Sequence, residues 1–574
     1  MDRNTIIGLV LIAAVFLLWM FYVGQNAPEK PITQDSDEVA GRVTEETTDI
    51  PGDSDQTEPQ KSDFADSLVA VRDTMPADTI TIETDLYTAT MITRGAGLVS
   101  YVLKDFDYLD EENGPVEMIH SDGLAMPNFR FEDGDINLMD RNFEVDRTSL
   151  DLSGTETGKI SFYYEFATGE TVQKVYTFYA DRYKFDLNFE MDGVRSLGLE
   201  DNYEFYYEPG LNTTEINVKD DIDNFHANAL LGDDIETFDD FDKGRIHEDI
   251  EGLTDWIATR TKYFCVALMP TSRDANGMVV DGSRQMPDED RAIEGYSHIS
   301  VSLKMKLAQR DNLFDSYTVY VGPLDYGRLS DFGNNLEDIL DLGWSIIKPF
   351  SKAVTWMMIQ FHKVIPNYGL VVIIFALIVK VVFSPLSYIS MKSMRRMQEI
   401  QPLINDLKEK YKKDPQRMNQ EVMKLYRTHK INPLSGCLPL LPQAPIFIAL
   451  FTVFRTTIEF RGAPFMLWIT DLSQPDPFYV LPVFMAVTMF IQQKMTMKDP
   501  KQKFMIYIFP AVFLWWGINF PAGLCLYWAV TNLLAFFEAI FIHKRHIPLA
   551  TVSEPQPESD DKGPKKDSKK NKRK

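Results

Sequence analysis

Residues 375–387 read FALIVKVVFSPLS, twelve uncharged residues with Lys380 near the middle. A lysine at the centre of an apolar helix crossing a membrane costs about 2.5–3.5 kcal/mol on insertion scales. Three arrangements offset that cost: snorkelling to the interface, pairing with a carboxylate, or standing in a water-filled cavity that receives an anionic ligand. If the helix ends near Ile389, Lys380 lies about 13 Å from the interface at 1.5 Å per residue. Snorkelling covers only about half of that. Glu538 is the carboxylate available for a structural pair, although it sits closer to the end of its own apolar segment. The wet cavity is therefore the preferred reading, with pairing and snorkelling as the alternatives.

Further polar groups stand in apolar surroundings. The run NPLSGCLPLLPQAPIFIALF carries Gln443 among Pro433, Pro439, Pro442 and Pro445. Internal prolines remove backbone donors, which a membrane helix tolerates where neighbours or water satisfy the freed carbonyls. The run LYWAVTNLL supplies Trp528, Thr531 and Asn532. Each of these also has a plain reading as a contact between helices. No phosphate-binding loop, HExxH, GxSxG or dinucleotide fingerprint is present. Cys265, Cys437 and Cys525 lack metal or redox spacing, and two of them lie in apolar runs and read as small core residues. Neither a cofactor, a metal nor an enzymatic reaction is expected.

Charge shows which elements must position these groups. The 574 residues carry a net charge of −26, but residues 25–343 hold 68 acidic and 26 basic residues, a net of −42, which leaves +16 for the remainder. Residues 391–432 (11 basic, 5 acidic), 494–503 (4 against 1) and 543–574 (10 against 5) are the basic segments. Short basic segments stay on the cytoplasmic side of a membrane. Residues 5–23 are long and apolar enough to span as an uncleaved anchor. Further spans are expected at 367–389, 434–456, 477–495, 504–519 and 521–542, which makes six. Threading them from a cytoplasmic N-terminus puts 25–343 outside and all three basic segments inside.

The expected organisation follows. An anchor (1–24) leads to a flexible acidic linker (25–77), whose composition cannot bury a core. Period-two alternation with regular turns over 78–330 predicts an all-β antiparallel sandwich. Residues 331–366 form a connector and an amphipathic interfacial helix, with Lys348, Lys352 and Lys363 among apolar residues. The helical membrane core occupies 367–543. Within it, Met394, Met397, Ile404, Leu407 and Tyr411 fall on one helical face and Met418, Val422, Leu425 and His429 on another. Asp414-Pro415 stops one helix and starts the next, so 391–432 reads as a cytoplasmic helical hairpin. A basic tail fills 544–574, and its stretch KGPKKDSKKNKRK suits a phosphate-rich partner.

The run from Trp344 to His543 resembles the YidC family of membrane protein insertases in IVKVVFSPLS, INPLSGCLPLLPQAPIFIALF, GAPFMLWITDLSQPDPFYVLPVFMAVTMFIQQKM and FPAGLCLYWAVTNLL. IETDLYTATMITRGAGLVSYVLKDF is similar to the periplasmic domain of its Gram-negative members. The resemblance implies a five-helix core around a hydrophilic groove, with a central positive charge that receives the polar part of an incoming chain. Lys380 matches the charge, where the family usually has Arg, and Ala376 stands where some members have a hydroxyl. Gln443, Trp528, Thr531 and Asn532 would line the groove. The third and fifth spans, marked by Pro445, Phe447 and Phe509, would be the helices along which substrate slides. Met394, Met397 and Met418 would face it from the hairpin.

The implied partners are nascent membrane proteins, lipids, the Sec translocon and, through the tail, the ribosome. The protein would act as a monomer in a bacterial inner membrane, inserting and folding its substrates without ATP. Two rival readings are a secondary transporter with a mid-membrane charge and an anchored receptor whose sandwich binds a sugar. The chain shows no internal repeat to favour the first, and the second leaves the polar membrane core unexplained.

Overall fold

The computed structural model describes residues 71–109, 114–121, 123–131, 136–199, 201–287, 295–307, 311–429, 431, 440–496 and 503–544. The expected anchor, Pro433, Pro439, Cys437 and the basic tail lie outside them.

Alternation builds the β domain as expected. In the strand Thr171–Tyr179, Val172, Lys174, Tyr176 and Phe178 are buried and their neighbours half-buried. Eighteen strands between Thr79 and Pro323 form one sheet of five and one of thirteen, and both contribute to a single apolar core. The pairing departs from a purely antiparallel sandwich at one place, where Thr79–Glu83 runs parallel to Ser149–Asp151. Gly95, at φ +81°, makes the turn before the third strand, and an added Cβ would lie 2.8 Å from the Ala125 side chain. That tight turn presents the Gly95 carbonyl to the Lys174 ammonium at 2.7 Å, while Asn128 Oδ1 accepts a second bond from the same lysine. Burial holds the Lys174 pKa well below the ordinary lysine range.

The domain is larger than the alternating pattern shows. Its first described turn, Val71–Thr74, lies within the expected linker, yet Asp73 accepts from Asn142 N–H and the Tyr164 hydroxyl and pairs with Arg141. At the other end, α2 (Tyr326–Phe332, following α1, Val218–Asp223) and the turn Leu336–Ile339 bury Leu329, Leu336, Ile339, Leu340 and Leu342 in the β core. Arg260 and Trp256 donate to the carbonyls of Ile339 and Asn334. The packed core thus continues past 330, because apolar residues in the connector cap the open end of the sheet.

Next, α3 (Lys348–His362) is tied back by Lys348 and Lys352 to Asp338, at 2.8 and 3.4 Å, and leaves Phe350 and Trp356 exposed. Then come α4 (Tyr368–Glu399), α5 (Gln401–Lys410), α6 (Pro415–Thr428), α7 (Leu440–Thr456), α8 (Val480–Thr496), α9 (Lys503–Gly517) and α10 (Ala522–Lys544). By length and composition, Tyr368–Met397 and Ala522–Ile540 can cross a membrane; Val480–Met495 and Ile506–Gly517 are shorter apolar helices. Their shared core includes Phe375, Leu450, Phe454, Met485 and Leu524, while Val381, Val382, Phe484, Val487, Tyr507 and Phe537 face outward. Large outward apolar side chains suit a lipid surface.

The hairpin differs in register from the expected one. Rather than a separate helix from 391, α4 continues to Glu399 and carries Met394 and Met397 with it, and the chain breaks at Ile400. Ile400, Ile404 and Ile431 form a small core joined by Met397, Val422, Leu425 and Tyr426. The break falls where Pro402 enters the first turn of α5, since proline cannot donate to the preceding turn of a continuous helix. Asp414 caps α6 by accepting from Arg417 N–H, with Pro415 at the first helical position.

Candidate functional site

Helices α4 and α10 run side by side in the same direction: Phe375 packs near Tyr527, ring centroids 6.1 Å apart, and Lys380 Nζ meets Glu538 Oε2 at 2.6 Å. Their side chains are 20% and 17% exposed, so neither is sealed from its surroundings. Measured from the Phe375–Tyr527 contact, Lys380 is level with about Asn532, and Glu538 lies about 9 Å further along the axis. The lysine therefore reaches along its helix toward the basic end to find a carboxylate. The pairing that the sequence offered as an alternative is the geometry present.

The other expected groove residues spread over two neighbouring helices. Trp528 meets Phe447 of α7 edge-on at 4.4 Å and Phe513 of α9 at 4.6 Å, so one indole joins three helices. Thr531 bonds back to the carbonyls of Tyr527 and Trp528, which satisfies its hydroxyl within the helix. Asn532 is buried, and among the described residues its amide nitrogen has no hydrogen-bond partner; the Tyr527 hydroxyl is in the same state. Gln443 and Pro445 are half-buried on α7, and Phe509 stacks toward Phe513 on α9. No hydrogen bond joins Lys380 to Gln443, Thr531 or Asn532 among the described residues. Met394, Met397 and Met418 are half-buried, and Met397 packs against the hairpin core.

A second charged constellation was not found from the sequence. Arg461, after α7, pairs with Glu215 of the β domain at 2.6 Å, with side chains 4% and 1% exposed. Arg455 reaches Asp220 at 3.0 Å, and Asp220 also holds Lys262 at 2.7 Å. The Tyr263 hydroxyl donates to the Arg455 carbonyl. Burial pushes the Asp220 carboxyl up, but Lys262 and Arg455 outweigh it and hold the pKa below the usual value. Burial dominates at its neighbour Asp221 and raises it to about 7, against N–H groups of Thr214 and Lys262. Glu459, in the turn Ile458–Phe460, is likewise raised to about 7 by burial and by Asp325. Two arginines six residues apart in FRTTIEFRGAP were the only local signal.

A parallel helix pair with a central ammonium, an aromatic lock across three helices and a docked β domain form the frame of an integral membrane protein with a large extramembrane part. Two families match: residues 360–548 fit the one described as 60Kd inner membrane protein, and residues 79–356 the YidC periplasmic domain. The membrane protein insertase YidC of Chlorobaculum tepidum is 33% identical over 576 residues, covering 95% of each chain. That of Chloroherpeton thalassium is 33% identical, covering 95% of this chain and 96% of its own. A crystal structure of an active YidC insertase with its first transmembrane domain resolved aligns over 84% of this chain and 94% of that one, at 19% identity and a TM-score of 0.35. The chain belongs to the YidC family of membrane protein insertases. Its β-rich part is the periplasmic domain and its helical part the inner-membrane portion.

Proposed function

We propose that this insertase holds the hydrophilic segment of an arriving membrane protein at Lys380 while the neighbouring apolar helix partitions into lipid. The observation that carries the reading is a lysine facing a carboxylate within a helix pair long and apolar enough to cross a membrane. An ammonium and a carboxylate 4 Å apart attract by about 4 kcal/mol at an effective dielectric near 20, and water in a groove lowers that. Partitioning supplies the driving force at about 0.8 kcal/mol per buried methylene.

In this reading six spans place both termini in the cytoplasm, and α5–α6 stand there as a hairpin at the groove's entrance. Gln443, Trp528, Thr531 and Asn532 line the groove, and α7 and α9 with Pro445, Phe447 and Phe509 guide the arriving helix. The protein works as a monomer, alone or beside the Sec translocon, without a cofactor, and also assists folding of its substrates. Its basic tail contacts ribosomal RNA, which favours clustered cations.

The test is protease protection of a single-span substrate whose translocated tail carries zero, one or two aspartates. Lys380→Arg should support insertion, and Lys380→Ala should impair the acidic tails most. Lys380→Glu should be worst because repulsion replaces attraction. Equal insertion of all three tails by the Ala and Glu variants would reduce Lys380 to a structural residue.

A further inference from the structure

The Lys380–Glu538 pair rests on a single close oxygen, at 2.6 Å, and among the described residues no aligned hydrogen bond supports that oxygen. Both side chains remain partly open. A lysine ammonium is a compact charge on a flexible stem, so it can change partners without the loss of a planar two-point contact. Glu538 also offers the same chemical group as an acidic substrate tail. Two carboxylates on one ammonium would leave a net negative charge in a poorly solvated site, which opposes simultaneous binding.

Building on the groove reading above, we propose that Glu538 is a built-in competitor for substrate carboxylates at Lys380. It sets how acidic a translocated segment must be before the site retains it. In the resting protein the ammonium is neutralised by Glu538. A tail with one carboxylate exchanges with an equal, whereas a tail with two is favoured by number and outcompetes it. Release follows when Glu538 returns, so the site is reset without an external energy source. Glu538 is a positioning and selectivity residue in this scheme, acting on substrate through Lys380.

The experiment uses the full chain in proteoliposomes with the three tails described above, and reads photocrosslinking from Gln443 together with protease protection. Glu538→Gln should raise the ratio of one-aspartate to zero-aspartate crosslinking by about fivefold, the effect of removing a partly exposed ion-pair competitor. The advantage of two aspartates over one should narrow. Glu538→Asp shortens the reach by one methylene and should move both ratios the same way by less; it serves as the readout if the Gln variant does not reach the membrane. Unchanged ratios would overturn the proposal. So would a uniform loss for all three tails that Lys380→Gln with Glu538→Gln restores, since that marks a purely structural pair. Lys380→Ala run in parallel separates the two readings. If it still discriminates against acidic tails while the Glu538 ratios stay fixed, only the competitor fails; if it treats all tails alike at parental level, the groove reading fails.

Discussion

Buried carboxylates on the two sides of the joint carry opposite dependences on pH. Asp221 and Glu459 are raised to about 7 by burial, so each contributes stability below its unfolded pKa that is lost as pH rises through about 7. Asp220 is lowered, so its contribution is present above the ordinary aspartate value and is lost only as pH falls through the folded one. Of these three carboxylates only Asp221 and Glu459 titrate between pH 8 and 6, while His226, held well below the ordinary histidine value by burial, costs stability over the same interval as the unfolded chain takes up its proton. The full-length protein should therefore gain about 1 kcal/mol from each of these two carboxylates over that interval, partly offset by His226 and seen as a rising Tm. Asp221→Asn and Glu459→Gln should each flatten part of the curve. A parental Tm that does not rise on going from pH 8 to 6 would show that burial does not hold these protons.

At the scale of elements, period and composition located the strands and the apolar segments well, because each reports a local requirement: alternation for a two-sided sheet and length for a membrane. The missed features depend on partners far along the chain. Arg461 and Glu215 are 246 positions apart, and Arg455 and Asp220 are 235 apart. The helix break at Ile400 was hidden for a different reason. The apolar spacing from Met394 to Tyr411 continues across it and masks the local signal, Pro402, which stands in the first turn of α5 and cannot donate to the turn before it. The hairpin face is also where flexible methionines could re-pack around varied apolar segments. Replacing Met394 and Met397 together by Asp should abolish complementation of a depletion strain while the protein stays in the membrane. Full complementation by that variant would make the hairpin a passive linker.

For the whole molecule, the joint bears on how separable the two parts are. The expected groove residues all lie after Trp344, so the β domain should be dispensable for small substrates. The boundary matters, however, because Leu336, Ile339, Leu340 and Leu342 belong to the β core. A deletion of 78–343 should retain insertion of a small single-span substrate, whereas a deletion of 78–330 should accumulate less well because it strands those leucines. Loss of all insertion by the first, at normal membrane levels, would count against this division. In the intact chain, Arg461→Ala should loosen the joint, since removing one partner of a buried pair costs about 3–5 kcal/mol. Faster proteolysis between the domains would report it.

Because α4 is one continuous rod, the lysine and the methionines at its far end share a single mechanical body. Met397 lies about 25 Å beyond Lys380 along that rod. A sideways push on the hairpin therefore acts as a load on a lever, and the stretch between Lys380 and Met394 decides how much of it reaches the ammonium. The rod has one soft point, Pro385, which gives no N–H to the carbonyl four residues earlier. Bending concentrated there would sit little more than one turn from Lys380. In the reading proposed above, movement of the hairpin would be taken up at Pro385, between the methionines and the lysine–carboxylate pair.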